Sequence, residues 1–432
     1  MEITNFEQAV DWLYSRQKYG WKLGLDAMRS LAHRLGNPQE KTSFIHIAGT
    51  NGKGSVAALT ASICSQAGYK TGLFISPHLY DVRERIRIND QYISKKDFYR
   101  LVLRIREPIE QQESTFFEAI TLLALCYFAE RETDIAVMEV GLGGRLDATN
   151  IIHPVLCVIT NISLDHTRYL GSSLKEVAGE KAGIIKENVS CLVGFLPEEA
   201  EIVIRDRCRE KKSDLYFLNE WCQIKNVVQM EDRAFFQLEL KSKTNANVEI
   251  PLTGEHQIHN ACLAATAASL LQNDQNEMWN IRMEPIVNGL RLVKWHARFQ
   301  IVHRNPVTII DVAHNPEAIQ KLVRLLNYFY PEKDIIFVLG LAKDKDYQSI
   351  IDILLTTHCA VQPVAAQMER ALSAHFLYEQ VKKRHGSCYD PRNVREGTES
   401  AFQKAGEQTI ICITGSHFIM QEALQAIKSL TN

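Results

Sequence analysis

The residues best suited to chemistry in this 432-residue chain are Ala48-Gly49-Thr50-Asn51-Gly52-Lys53-Gly54-Ser55. Gly49, Gly52 and Gly54 let backbone N–H groups turn toward an anion. Lys53 adds a point charge, and the Ser55 hydroxyl can reach a metal ion. A β-rich run over 43–48 leads into this loop and a helical-period stretch over 56–67 leaves it, so a helix N-terminus faces the same anion. One inserted glycine, Gly54, separates the lysine from the hydroxyl where the usual phosphate loop has Gly-Lys-Ser/Thr. A nucleotide phosphate is the expected ligand.

Other polar residues stand at the ends of apolar runs. Glu139 closes 134–140 before a glycine-rich turn, and a carboxylate there can hold Mg²⁺, which takes hard oxygen ligands plus phosphates. Ser76 ends 70–76 and offers a hydroxyl from a neighbouring turn. His166 follows 155–162, where pattern alone leaves open a packing, capping or ligand role. Lys181 lies on a helical stretch, 174–186, and reads by pattern as a surface or phosphate-facing lysine.

Strand-length apolar runs alternate with amphipathic helical stretches from about residue 43, which predicts an α/β fold with a mainly parallel sheet. The segment 214–250, with runs at 215–218, 227–229 and 234–240, alternates more and predicts a small antiparallel excursion. The α/β pattern restarts after 291, with strands expected at 307–311, 334–339, 358–364 and 408–414. The predicted organisation is a larger unit over 1–294, a hinge at 295–299 and a smaller unit over 300–432.

Net charge −2, 46% hydrophobic and 23% charged residues are those of an ordinary globular chain. Short basic runs such as Lys382-Lys383-Arg384 are flanked by acids, so no nucleic-acid partner is expected. Ten cysteines without a Cys-x-x-Cys pair read as small hydrophobes in a reducing compartment, not as a disulfide framework or zinc site. The start, Met1-Glu2-Ile3-Thr4-Asn5, lacks a signal-peptide pattern, and no apolar run approaches the ~18 residues of a membrane span. A cytoplasmic protein with no membrane partner is expected.

The loop Gly49-Thr50-Asn51-Gly52-Lys53-Gly54-Ser55 is similar to the ATP loop of the Mur ligase superfamily. More narrowly, it resembles that of the folylpolyglutamate synthase/dihydrofolate synthase family. The resemblance continues through Ser76-Pro77-His78-Leu79, Glu84-Arg85-Ile86-Arg87, Thr115-Phe116-Phe117-Glu118 and Gly141-Leu142-Gly143-Gly144-Arg145-Leu146-Asp147-Ala148-Thr149-Asn150. It extends to Thr160-Asn161-Ile162-Ser163-Leu164-Asp165-His166, Glu180-Lys181-Ala182-Gly183, Trp295-His296-Ala297-Arg298-Phe299, Asp311-Val312-Ala313-His314-Asn315 and Thr414-Gly415-Ser416-His417.

The resemblance implies a phosphate-loop ATPase-like N-terminal domain and a Rossmann-like C-terminal one. It implies ATP held by Gly49 through Ser55, by Asn260 at the adenine, Asp311 at the ribose and Arg298 at the terminal phosphates. Ser76, Glu139 and His166 match ligands of two Mg²⁺ ions, and Lys181 matches a lysine that is carbamylated. Lys53, Lys181, His166 and Arg298 form the implied catalytic set, with Arg298 delivered by closure at the hinge. His296-Ala297 replace the family's usual Pro-Gly, and Val312 a usual glycine.

Thr115, Phe117, Asp147 and Ala148 match pterin-facing positions: Phe117 to stack on the ring, Asp147 to accept from its N–H groups. His314 and Ser416 match positions holding the incoming glutamate, with packing and helix capping as their alternatives. His256 and His259, three residues apart, read as helix-entry residues. The implied reaction is ATP-dependent addition of L-glutamate to dihydropteroate and to reduced folates by a monomer. The alternatives are polyglutamylation alone, another Mur-type ligase acting on a UDP-linked precursor, and a silent nucleotide-binding protein.

Overall fold

Five of the six residues of the run 43–48 are buried, the signature of a strand covered on both faces. The computed structural model describes residues 3–431 apart from 21, 23, 242–243 and 273–277. The run becomes β1 (Ser43–Ala48), joined by β2 (Thr71–Phe74), β3 (Ile86–Ile88), β4 (Gln91–Tyr92), β5 (Ile135–Glu139), β6 (Leu156–Ile159), β7 (Cys191–Val193) and β8 (Leu215–Phe217). Their order is β4-β3-β2-β5-β1-β6-β7-β8. From β2 to β8 the pairings are parallel, and β3 and β4 add an antiparallel edge. Phe74 pairs with Met138, Ile47 with Glu139 and Ala48 with Ile159, so four neighbouring strands end level along one edge. Open parallel sheets bind ligands beyond those ends.

Helices cover both faces. On one, Phe44, Phe74 and Met138 pack with the nearly all-apolar helix Phe116–Glu130; on the other, Cys157, Ile159 and Val193 pack with Val177 and Ala178. The helix Lys53–Gln66 starts three residues before its first apolar position, because Gly52 turns left-handed (φ 82°) and Lys53 is already helical. Gly289, in the helix Met283–Leu292, abuts it so closely that a Cβ would overlap Ile63 Cα, and Ser62 Oγ donates to Gly289 O (2.7 Å).

Leu215–Phe217 was expected in the small excursion; it instead joins the main sheet, parallel to β7. Three residues are too short a run to show which period they follow. β9 (Cys222–Gln229), β10 (Ala234–Leu240) and β11 (Thr244–Ile250) make the separate small sheet, in the order β11-β10-β9. β10 alternates strictly between buried and half-buried positions.

The chain divides into two units. Met1–Val227, Phe235–Ile250 and Gln257–Lys294 form the first; Trp295–Asn432, with Val228–Ala234 and Pro251–His256, forms the second. The second unit holds β12 (Gln300–Arg304), β13 (Val307–Ile310), β14 (Asp334–Leu339), β15 (Cys359–Ala365), β16 (Ser387–Cys388), β17 (Arg392–Asn393) and β18 (Thr409–Thr414). The order is β12-β13-β18-β14-β15-β16, with β17 also on β15; only β12 runs antiparallel. Among the described residues no helix is long and apolar enough to cross a membrane. Because Gly289 touches backbone, Gly289→Ala is expected to destabilise the protein by about 1–3 kcal/mol, read as a lower urea midpoint; an unchanged midpoint contradicts the packing.

Candidate active site

The four level strand ends deliver the candidate residues of the first unit. Beyond β1, a Cβ on Gly49 would overlap Thr160 Oγ1, and one on Gly52 would sit 2.6 Å from Asn260 Oδ1. The phosphate loop therefore meets both the end of β6 and the helix Glu255–Leu271 that carries Asn260. Thr50 N–H donates to Asn161 O (3.0 Å) and Asn51 N–H to Asn161 Oδ1 (2.8 Å). Thr160 Oγ1 donates to Asn51 O (2.6 Å) and Thr50 Oγ1 to Ser163 O (2.9 Å). The polar stretch after β6 thus clamps the loop, a role the sequence reading did not assign.

Lys53 Nζ donates to Gly49 O (3.1 Å) and Thr50 O (3.0 Å). Lys181 Nζ, from the helix Leu174–Ala182, donates to the same Gly49 O (2.9 Å). Burial, and then the neighbouring Lys53 charge, bring Lys181 down to about 7, against the pull of Asp165 and Glu180. Ser55 is buried at the start of the loop helix, and its Oγ has no partner among the described residues. A buried orphan hydroxyl at a helix N-terminus suits a ligand that brings oxygen or metal.

Glu139 is buried at the end of β5 and accepts Ser76 N–H at Oε2 (2.9 Å), so Ser76 and Glu139 are brought together. His166 takes a left-handed backbone (φ 50°), strained for a non-glycine residue. Its N–H donates to Asp165 Oδ1 (2.8 Å), and its Nε2 lies 4.0 Å from Asp165 Oδ2. Asp165 thus faces both His166 and Lys181, and sequence reasoning gave it no part. Among the described residues no three His, Cys, Asp or Glu side chains gather into a metal site. Ser55, Ser76 and Glu139 carry hard oxygens of the kind Mg²⁺ takes, alongside phosphates and water.

Elsewhere in the first unit, Thr115 caps the helix Phe116–Glu130. Its Oγ1 accepts Glu118 N–H (3.2 Å), and its own N–H donates to Glu118 Oε2 (2.7 Å). The Phe117 ring lies against Gly141 and 6.0 Å from the Phe74 ring. Asp147 is buried, which raises its pKa, beside the buried Ala148. Its Oδ2 accepts Leu142 N–H (2.8 Å), and its Oδ1 accepts Thr149 N–H (3.0 Å) and Thr149 Oγ1–H (2.5 Å). Asp147 therefore closes its own loop first, and any ligand there has only the acceptor capacity those donors spare.

A neighbouring cluster joins His78, Arg85 and Phe116, quoted in the sequence without a role, to Tyr14, which was not singled out. Tyr14 stacks on Phe116 at 5.4 Å, and the Arg85 guanidinium lies 5.1 Å from the same ring. Arg85 Nε donates to His78 Nδ1 (2.8 Å), leaving His78 Nε2–H to donate to Tyr14 OH (3.0 Å). Burial and then Arg85 push His78 down to about 3, and burial brings Arg85 to about 10. Only the fold unites these residues, from the first helix, the stretch between β2 and β3 and the start of the helix Phe116–Glu130.

In the second unit, Asp311 Oδ2 accepts Phe299 N–H (2.7 Å) and Oδ1 accepts Ala313 N–H (2.7 Å). Burial raises the Asp311 pKa while Arg298 opposes that rise. Arg298 Nη1 donates to Ala297 O (3.0 Å), and its guanidinium lies 5.6 Å from the Trp295 ring. Ala297 (φ 56°) and Phe299 (φ 45°) are both left-handed, which explains the glycine the family favours at 297. Val312, in contrast, has no positive φ, and its N–H donates to Ala297 O (3.1 Å).

Ser416 Oγ accepts Phe418 N–H (3.2 Å), and Ser416 lines a small pocket with Leu341, Ala342, Met368, Ala371 and Phe418. His314 Nδ1 donates to Val312 O (2.8 Å), and its ring lies 5.7 Å from that of His417. His256 and His259 lie in the first turns of the helix Glu255–Leu271, with the Phe195 ring 4.8 Å from His259.

Folding depresses Lys181 from 10.5 to about 7, so the buried cation opposes folding fully below about pH 7, and the opposition fades as pH rises toward 10.5. Lys181→Met should therefore raise Tm at neutral and acidic pH, with its advantage over the wild type shrinking in alkaline buffer. A variant no more stable than the wild type at any pH contradicts the assignment. Gly52→Ala, which combines left-handed strain with a clash on Asn260, should weaken nucleotide binding at least about tenfold by calorimetry; unchanged affinity contradicts the loop geometry.

Residues 47–268 match the model of the Mur ligase middle domain, and 297–417 that of the Mur ligase, glutamate ligase domain. The chain is 35% identical to a dihydrofolate synthase/folylpolyglutamate synthase of Bacillus subtilis, covering 99% of this chain and 100% of that one. It is 30% identical to a folylpolyglutamate synthase of Lacticaseibacillus casei, covering 98% and 99%. Among solved structures, E. coli FolC in complex with DHPP and ADP superposes with a TM-score of 0.87 at 28% identity, covering 98% of each chain. The chain belongs to the Mur ligase family and, within it, to the ATP-dependent dihydrofolate synthase/folylpolyglutamate synthase enzymes.

Proposed function

We propose that this chain adds L-glutamate to dihydropteroate and extends reduced folates by γ-glutamyl bonds, each through an acyl phosphate made from ATP. The observation carrying the proposal is the meeting of Lys53, Lys181, Asn260 and the orphan Ser55 hydroxyl on one glycine-rich loop. That is a site for a nucleotide polyphosphate. The E. coli relative is described with DHPP and ADP together, and the Bacillus subtilis relative is named for both activities.

A carboxylate resists attack by an amine, so ATP first phosphorylates it and releases ADP. The α-amine of glutamate then attacks the acyl carbon, and the tetrahedral adduct expels phosphate to leave an amide. The protein positions and neutralises charge and supplies no nucleophile. Gly49, Thr50, Asn51, Gly52 and Gly54 present backbone to the phosphates, and Lys53 exchanges its loop carbonyls for phosphoryl oxygens. Asn260 takes the adenine, Asp311 the ribose and Arg298 the terminal phosphates. Ser76, Glu139 and His166, helped by Ser55, hold Mg²⁺, which when bound offsets phosphoryl charge.

The near-neutral poise of Lys181 suits carbamylation: the unprotonated amine bonds to the carbon of CO₂ and loses a proton, replacing a buried cation with an anion. Thr115, Phe117, Asp147 and Ala148 border the pterin, and His314 and Ser416 the incoming glutamate. The enzyme acts as a monomer, and in the cytoplasm, where ten cysteines stay reduced.

ADP release from Mg-ATP and glutamate should require an acceptor and appear with dihydropteroate and tetrahydrofolate alike. Response to one acceptor alone removes the dual activity, and response only to a UDP-linked precursor removes the folate assignment. Lys53→Ala and Glu139→Ala should each lower kcat by at least about 10²-fold while remaining folded by circular dichroism; near-normal rates overturn the site.

A further inference from the structure

His46 is the buried polar residue of β1, with no exposed surface. Its Nε2 lies 2.9 Å from Thr149 Oγ1, and its Nδ1 is buried with no partner among the described residues. Burial, with the Lys186 charge second, pushes the imidazole down to about 3, so it is neutral. Thr149 Oγ1 stands 2.5 Å from Asp147 Oδ1. A carboxylate only accepts, so the Thr149 proton points at Asp147 and the hydroxyl oxygen accepts from His46. The tautomer follows: Nε2 carries the proton and Nδ1 is bare.

A histidine with one bare, buried nitrogen is a costly filler for a strand that aliphatic side chains otherwise build. What it gains is a directed chain, His46 to Thr149 to Asp147, that ties β1 to the loop 141–149. That loop touches the Phe117 ring at Gly141 and the backbone of Glu180 and Lys181 at Gly144. Resting on the reading that this loop borders the folate acceptor, we propose that His46 is a positioning residue. Through Thr149 it orients Asp147 and sets the grip on the acceptor, not on the nucleotide.

Steady-state kinetics on the full chain test this. His46→Leu should raise the KM for dihydropteroate about tenfold while the KM for ATP stays within about twofold. His46→Gln, whose Nε2–H reaches the same hydroxyl, should restore most of the loss. The His46→Leu/Thr149→Val double variant should be no worse than the poorer single one. In nitrogen NMR, the imidazole signal lost in a folded His46 variant should be that of a neutral ring protonated at Nε2 and bare at Nδ1.

If His46→Leu does not fold, Thr149→Val against Thr149→Ser decides, with only the valine raising the acceptor KM. A wild type silent with every folate acceptor overturns the function reading and this one with it. A wild type active on folates, with acceptor KM unchanged in His46→Leu or in Thr149→Val, overturns this inference alone.

Discussion

Two ammonium groups share one carbonyl oxygen. Lys53 and Lys181 both donate to Gly49 O, in a place closed to water on the Lys181 side. Like charges at that spacing repel, and burial removes the solvent that would screen them. The surroundings answer that constraint: Asp165 faces Lys181, Glu139 ends the adjacent strand, and the loop between them is arranged to receive anions. The chain as a whole is nearly neutral, with 49 basic against 51 acidic residues, so these two lysines are a local concentration of charge and not part of a basic surface.

The arrangement follows from strand order. With β2, β5, β1 and β6 parallel and level, residues far apart in sequence leave the sheet side by side. Ser76 meets Glu139 because β2 lies beside β5, and Thr160 meets the phosphate loop because β6 lies beside β1. The glycines then serve approach as much as flexibility. Gly49 lets β6 close in, Gly52 admits Asn260, and Gly289 lets a helix press on the backbone behind the loop.

Much of this was legible beforehand. The phosphate loop has residue types with few other uses, and the long buried runs of β1, β5, β14 and β18 could not be read as helices. Leu215–Phe217 was misplaced because its partner strand, not its own pattern, decides its sheet. Arg85, His78 and Tyr14 were invisible as a group because only the fold unites them. For Asp147 the residue was singled out, but not the three donors from its own loop that occupy it. Sequence reports a side chain's chemistry more readily than its existing obligations.

The backbone around Arg298 shows what such an obligation entails. Ala297 and Phe299 hold conformations that an isolated peptide rarely visits, and the Phe299 amide is pinned by Asp311, the residue proposed for the ribose. On the proposed assignment, a nucleotide analogue stripped of its ribose hydroxyls would lose its contact with Asp311 and leave the backbone untouched. An Asp311 variant would lose that proposed contact and would also free the Phe299 amide next to Arg298. Chemical deletion and genetic deletion of the proposed interaction would therefore not be equivalent, and only the former would measure the sugar by itself.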